Sequence, residues 1–375
     1  MNEVFLTIFF ISLLLFLLGS GVWVALSMIA VSAIGMTLFT TRPVGDAMAT
    51  TIWGTSSSWT LTALPLFVWM GEILFRTKLS ENLFRGLSPW LSKLPGGLIH
   101  VNVVGCALFA AISGSSAATV ATVGKMSIPE LRKRKYPEKL LLGSLAGSGT
   151  LGLLIPPSII LIIYGVTIED SIAKLFMAGI IPGIMIAILF MSYVVIWSIF
   201  NKKLMPKTIQ NFSFSQKIKG SRQLLPVILL IVSVIGSIYT GIATATEAAS
   251  LGVVGALTLS WFQKTLNKNT FKLSLLGATK TSCMIAFILA GSTFLSLAMG
   301  FTGLPRNLAI WIQEMSLSPY MLIFILTIFY IILGMFLDGI SAVVLTMAII
   351  EKCPVKKILT KNNKIVGVET NYGKI

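Results

Sequence analysis

Charged residues, histidine and cysteine are all scarce in this chain of 375 residues. Only 11% of the residues are charged, 55% are hydrophobic, and one histidine and three cysteines are present. The cysteines have neither pairing nor metal-site spacing, so a disulfide framework and a zinc site are excluded. The sequence also lacks a Ser-His-Asp or His/Glu metal pattern, so we predict that the protein is not an enzyme.

The sequence instead contains many long runs of apolar residues. A helix needs about 20 apolar residues to span a bilayer, and the pattern predicts an all-α polytopic membrane protein. The N-terminal run contains Glu3 and lacks both a basic residue and a small-x-small cleavage site, so we interpret it as the first span and not as a signal peptide. The predicted spans lie near 4–19, 22–40, 60–76, 140–164, 172–200, 223–240, 245–262 and 281–300.

The basic residues lie between the apolar runs. A net charge of +16 would suggest nucleic acid as the partner of a soluble protein. Here the charges instead predict membrane topology and a lipid bilayer as the surroundings, with no nucleic-acid partner. The positive-inside rule places four basic loops in the cytoplasm and the N-terminus outside; these loops are 76–93, 132–139, 202–222 and 264–280.

The apolar stretch from about 95 to 124 has a basic loop on each side, so it must enter the membrane and turn back. Each arm has about 14 residues, or roughly 21 Å, which reaches the midplane but does not span the bilayer. We therefore predict a re-entrant hairpin whose tip consists of Ser113, Gly114, Ser115 and Ser116. The alternative for the tip is a close helix contact between small residues, which is common in membranes.

A pair of prolines interrupts the span at 140–164. Pro156 and Pro157 lack two backbone donors, so a regular helix cannot continue through them. Glycines precede the pair, and we predict an unwound segment that faces the hairpin tip; a simple structural kink is the alternative. The stretch 147–152 matches G-x-G-x-x-G, but it follows no strand, so we reject a dinucleotide site.

The tip and the proline break together suggest an ion site. Helix ends at mid-membrane expose backbone groups without intrahelical partners, and exposed carbonyls can coordinate a bare cation. We predict that a bare cation binds where the tip and the break meet, at Ser113, Gly114 and Pro156.

Three isolated polar residues remain in apolar surroundings. Asp338 lies in an apolar run, where an ionisable side chain indicates a functional site. Glu247 lies near a membrane boundary, where a carboxylate is more often merely solvated. His100 lies near the start of the hairpin, and a capping or interfacial role is favoured over a proton relay.

A shift of 225 residues aligns two parts of the chain. Nine identities occur over positions 77–129, and the alignment places Ser113 on Asp338 and Gly114 on Gly339. The spans that precede the two hairpins run in opposite directions, so the predicted repeats are inverted. Inverted repeats place transport sites at their interface.

Five motifs together resemble the large membrane subunit of TRAP transporters, the tripartite ATP-independent periplasmic transporters. They occur in the family's order over about residues 1–350, and they are G-G-L-I-H-V-N-V (96–103), I-S-G-S-S-A-A-T (112–119), I-P-P-S (155–158), Y-T-G-I-A-T-A-T-E-A-A (239–249) and L-G-M-F-L-D-G (333–339).

The resemblance implies a sodium-driven elevator carrier in the bacterial inner membrane. A periplasmic substrate-binding protein would deliver a small organic acid, of the dicarboxylate or sialic-acid type, and a small four-helix membrane subunit would complete the scaffold. Sodium would be the coupling ion, with no further cofactor. The substrate- and sodium-binding residues implied are Ser113, Gly114, Ser115, Ser116, Thr150, Pro156, Pro157, Asp338 and Gly339.

The C-terminal end departs from the family pattern. In the second repeat the proline pair would recur near position 381, whereas this sequence has 375 residues. We therefore expect the second repeat to be incomplete and the chain as written not to transport. The tail contains six lysines, and K-I-V-G-V-E-T-N-Y-G-K-I predicts strand–turn–strand. An inactive truncated remnant and a stand-alone elevator carrier for organic anions are the alternative functions.

The predicted organisation has five segments: scaffold helices at 1–76, a first transport repeat at 77–200, central scaffold helices at 201–280, an incomplete second repeat at 281–350 and a polar tail at 351–375.

Overall fold

The computed structural model describes most of the chain. The described residues are 3–77, 79–168, 170–206, 213–222, 224–302, 315, 317–336, 339–350, 355–361, 364–370 and 373–374.

Helices dominate these residues, as predicted. In chain order they are α1 (Glu3–Gly19), α2 (Val24–Phe39), α3 (Val44–Ser56), α4 (Ala63–Phe75), α5 (Leu79–Leu91), α6 (Ile99–Ser113), α7 (Ser116–Lys133), α8 (Glu138–Gly149), α9 (Ile159–Thr167), α10 (Ile172–Phe200), α11 (Phe214–Ser221), α12 (Leu225–Tyr239), α13 (Ala245–Phe262), α14 (Lys268–Phe301), α15 (Pro319–Phe336) and α16 (Gly339–Ile350). Short 3-10 turns lie at Trp59–Thr62, Thr150–Leu153 and Lys202–Leu204.

Helices occur where the spans are predicted, and their bounds agree to within a few residues except at the last one. Among the described helices, α10, α13 and α14 are long and apolar enough to cross a membrane, and several shorter ones are also apolar. The prediction missed α3. It was also wrong to treat the basic segments as loops, because α5, α11 and the first part of α14 lie within them. Lysine and arginine are good helix formers, so these charges indicate a membrane side and not the absence of a helix.

The chain divides into two compact units, residues 1–58 with 283–375 and residues 59–282. The predicted division into five segments stays a prediction. In the second unit, a core of Val103, Ala110 and Leu151 packs against Ile186 and Phe190 of α10. This core holds the hairpin, the proline break and α10 together, and it positions the candidate site.

The other unit contains the second predicted repeat. Phe10, Met28 and Leu295 belong to one of its cores. Helix α15 is described to Phe336 and α16 from Gly339. Residues 337 and 338, where the 225-residue shift places the end of the first of these helices, lie outside the described residues, so the repeat stays a prediction.

Three strands follow the helices: β1 (Val355–Lys361), β2 (Lys364–Thr370) and β3 (Gly373–Lys374). They form one antiparallel sheet in the order β1-β2-β3. The β2–β3 pair confirms the strand–turn–strand predicted for the tail, and β1 was not predicted.

Candidate functional site

The hairpin turn lies where the sequence predicts it. Helix α6 ends because Gly114 adopts a left-handed conformation (φ 58°, ψ 6°), which glycine takes without steric cost. Its N–H donates to the carbonyl of Ala110 at 3.0 Å. Ser115 then caps α7, since its extended backbone lets the side chain accept from the N–H of Ala118 at 3.4 Å. Two residues therefore reverse the chain between α6 and α7.

Hydroxyl groups hold this turn together. Ser113 Oγ lies 2.9 Å from Thr119 Oγ1, and Thr119 Oγ1 also lies 2.7 Å from the carbonyl oxygen of Ser115, to which it donates. Thr119 is fully buried and Ser113 nearly so. The sequence analysis missed Thr119, although its position one helical turn after Ser115 places both on one face of α7.

The proline break also forms as predicted. Helix α8 ends at Gly149, a 3-10 turn follows, and α9 begins at Ile159. The Pro156–Pro157 peptide bond is cis. The buried Ser158 closes the break by donating from Oγ to the carbonyl of Leu153 at 2.7 Å. The chain between the two helices is thus fixed by hydrogen bonding although it is not helical.

The tip and the break are in direct backbone contact. An ideal Cβ at position 114 would lie 2.9 Å from the nitrogen of Ile159 and 3.1 Å from the carbonyl oxygen of Pro157. An ideal Cβ at Gly152 would lie 3.2 Å from the carbonyl carbon of Ser115 and 3.3 Å from the nitrogen of Ser116. The juxtaposition that the sequence predicts is therefore present, and glycine permits it at both positions.

Helix α4 also lies close to the hairpin tip, through Gly71, and the sequence analysis missed this contact. An ideal Cβ at Gly71 would lie 3.0 Å from the Cα of Ser113. A glycine inside the apolar span 60–76 was the only signal for this contact.

Several oxygen atoms of the tip and the break lack hydrogen-bond partners. The backbone carbonyls of Gly114, Pro156 and Pro157 accept no hydrogen bond from any residue that the structure describes. Ser116 Oγ is inaccessible to solvent and likewise has no partner within the described part of the chain. Neutral oxygen donors of this kind suit a hard cation. No group of three or more His, Cys, Asp or Glu that could hold a metal occurs among the described residues.

The other predicted site residues are Thr150, Pro156, Asp338 and Gly339. The hydroxyl of Thr150 donates to the carbonyl of Gly147 in its own turn, and the residue is exposed. The ring of Pro156 lies toward Gly179 of α10. Asp338 lies outside the described residues, and Gly339 is the first residue of α16. Sodium or substrate binding by any of these residues stays a prediction.

The base of the hairpin is anchored by Tyr136, in the loop between α7 and α8. Its hydroxyl oxygen accepts from the N–H of Leu98 at 3.1 Å, just before α6 begins. Burial raises the pKa of Tyr136, while the Leu98 hydrogen bond and the nearby Arg134 oppose that shift. His100 lies close by, with Nε2 2.7 Å from the carbonyl oxygen of Pro95. This contact gives the histidine a role at the helix start, as predicted.

Glu247 caps a helix. Its carboxylate accepts from both the N–H and the hydroxyl of Thr244 at 2.8 Å, while the N–H of Glu247 donates back to Thr244 Oγ1. This is a capping box at the start of α13. The arrangement accounts for the carboxylate without a role in binding.

Comparison with known proteins gives one family. The family model for the tripartite ATP-independent periplasmic transporter, DctM component, matches residues 10–359. The C4-dicarboxylate TRAP transporter large permease protein DctM of Pseudomonas aeruginosa is 34% identical over 303 residues, covering 80% of this chain and 70% of that protein. The sialic acid TRAP transporter large permease protein SiaM of Vibrio cholerae is 30% identical over 332 residues, covering 88% and 76%. The isethionate TRAP transporter permease protein DctMQ of Oleidesulfovibrio alaskensis is 28% identical, covering 81% and 48%.

Proposed function

This chain belongs to the DctM family of tripartite ATP-independent periplasmic transporters, and we propose that it is the permease subunit of a sodium-driven carrier for small organic acids. It is a membrane transport protein and not an enzyme. Relatives are named for C4-dicarboxylates, sialic acid and isethionate. These compounds are all small organic anions, which supports an anionic substrate here.

The proposal rests on the contact between the hairpin tip and the proline break. Three backbone carbonyls and the Ser116 hydroxyl lack partners where two interrupted helices meet. In the membrane such groups are costly unless they are satisfied, and a sodium ion would satisfy several of them at once. Gly114, Pro156, Pro157 and Ser116 would hold the ion, and the sodium gradient would supply the driving force. The positive N-terminal end of α7 would favour the anionic group of the substrate.

The mechanism proposed is an elevator movement. The hairpin and the break are packed backbone to backbone through Gly114 and Gly152, so a carrier domain containing both would move as one body. A small four-helix membrane subunit would complete the scaffold, a periplasmic binding protein would deliver the substrate, and the complex would lie in the inner membrane.

Uptake into proteoliposomes tests this function. The chain is reconstituted with its small subunit and binding protein, and uptake of a labelled dicarboxylate or sialic acid is measured under an inward sodium or potassium gradient. If the function proposed here is right, and the expectation from the sequence that the chain as written does not transport is wrong, uptake will occur only with sodium and with the binding protein. Uptake without the binding protein would favour the stand-alone carrier, equal uptake with potassium would contradict sodium coupling, and absence of uptake by a folded, inserted complex would favour the inactive remnant.

A further inference from the structure

Two short helices in basic segments of the sequence pack against each other. An ideal Cβ at Gly220 of α11 would lie 3.3 Å from the carbonyl oxygen of Arg85 and 3.7 Å from Pro89 Cγ, both in α5. Trp90 Nε1 donates to Ser221 Oγ at 2.8 Å. Helices α5 and α11 therefore form one platform, which we call the paired surface helices.

The open side of this platform is both apolar and cationic. Phe214 and Ile218 lie one helical turn apart on α11, with 68% and 53% of their surface exposed. Lys219 and Arg222 are exposed beside them. Lys217 Nζ lies 5.2 Å from the centroid of the Trp90 ring, within the range of a cation–π interaction. The sequence of α11 contains no acidic residue, and that of α5 contains one, Glu81.

The platform also lies where membrane-spanning structure ends. Helix α11 is bent by 52° from α12, the apolar helix that follows it. The positive-inside rule assigns the segments of both helices to the cytoplasmic side. An amphipathic helix with exposed Phe and Ile beside Lys and Arg is typical of helices that lie at a lipid interface.

We propose that the paired surface helices bind the phosphate headgroups of anionic phospholipids at the cytoplasmic face. Lys219 and Arg222 would contact the phosphate, while Phe214 and Ile218 enter the boundary between headgroups and acyl chains. The adjacent apolar pair favours a lipid over a free phosphate ion, because a soluble anion would leave those side chains in water. This inference is independent of the transport function.

Native mass spectrometry tests headgroup selectivity. The purified chain is titrated with phosphatidylglycerol or phosphatidylcholine, and wild type is compared with Lys219→Gln/Arg222→Gln. The control is Lys268→Gln/Lys272→Gln, which removes the same charge from two exposed lysines of α14. We expect wild type and control to prefer phosphatidylglycerol. The test variant should bind it roughly 25-fold more weakly, since each of the two charges near an anionic surface contributes about fivefold. Equal losses in both variants, or no preference in wild type, would overturn the site.

Two further experiments distinguish a lipid headgroup from free phosphate as the ligand and exclude misfolding as the cause of weaker binding. Inorganic phosphate is added as a competitor; displacement of phosphatidylglycerol at equal concentration would show that free phosphate is the ligand and would overturn the lipid assignment. Spin labels at Ile218→Cys and Gln216→Cys, which lie on opposite faces of α11 and are both exposed, are then compared in phosphatidylglycerol vesicles. We expect oxygen to relax the label at 218 and a water-soluble nickel complex to relax the label at 216. Equal exposure of both labels to the nickel complex would contradict the proposal.

Discussion

Gly114 and Pro157 touch through their backbones: an ideal Cβ at position 114 would lie 3.1 Å from the carbonyl oxygen of Pro157. This contact joins the hairpin tip to the proline break. Because Gly114 also has a φ of +58°, both its conformation and its surroundings require glycine. The contact brings the Pro157 carbonyl, which accepts no hydrogen bond from the described residues, to the hairpin tip, and this is the basis of the proposed ion site.

Gly114→Ala should destabilise the protein by at least about 2 kcal/mol, because a left-handed alanine is strained and its Cβ would overlap backbone atoms that cannot rotate away. The measurement is thermal unfolding in detergent. Gly143→Ala is the matched control, since nothing lies within 4 Å of its ideal Cβ and α8 should gain up to about 1 kcal/mol. Equal melting temperatures for the two variants would contradict the close contact.

Thr119→Val should loosen the hairpin turn. The change keeps the shape of the side chain but removes the hydroxyl that donates to the Ser115 carbonyl and bonds to Ser113. We expect a loss of roughly 1–2 kcal/mol in unfolding free energy, measured by thermal unfolding. Thr119→Ser retains the hydroxyl and should stay close to wild type. If Ser and Val at this position are equally destabilising, the hydroxyl network is not what holds the turn.

Tyr136→Phe should remove one source of alkaline sensitivity. Burial raises the pKa of Tyr136 above its ordinary value of 10.0, so its contribution to stability is complete below pH 10 and is lost as the pH rises through the folded-state pKa. The variant loses the acceptor for the Leu98 N–H, at a cost of about 1–3 kcal/mol. The stability difference between wild type and variant should therefore shrink above pH 10, and a constant difference would refute the assignment.

The features that depend on local chemistry were predictable from the sequence. Gly114 ends a helix because of its own backbone freedom, and Pro156 and Pro157 break one because they lack donors. The partners across the interface were not predictable, since Gly71 meets Ser113 only through tertiary packing. The prediction named Pro156 as an ion ligand, and the structure adds that the carbonyl oxygen of Pro157 lies 3.1 Å from an ideal Cβ at position 114. Sodium binding by either residue stays a prediction.

The re-entrant path of α6 and α7 remains to be tested in a membrane. After the native cysteines are replaced, single cysteines are placed at Lys93 and Lys135, both of which are exposed. We expect a membrane-impermeant maleimide to label both from the cytoplasmic side, because the hairpin returns to the face it entered. Labelling of one position from outside and the other from inside would mean that the segment spans the bilayer.

The most direct test of the ion site is the binding of radioactive sodium to the purified chain, measured by scintillation proximity for wild type, Ser116→Ala and Ser250→Ala. Ser116 Oγ is inaccessible and has no partner among the described residues, whereas the exposed Ser250 bonds to its own helix and serves as the control. The account predicts saturable sodium binding that potassium does not displace, weakened roughly tenfold or more by Ser116→Ala and unchanged by Ser250→Ala. Wild-type affinity in a folded Ser116→Ala variant, or no saturable binding in wild type, would contradict it.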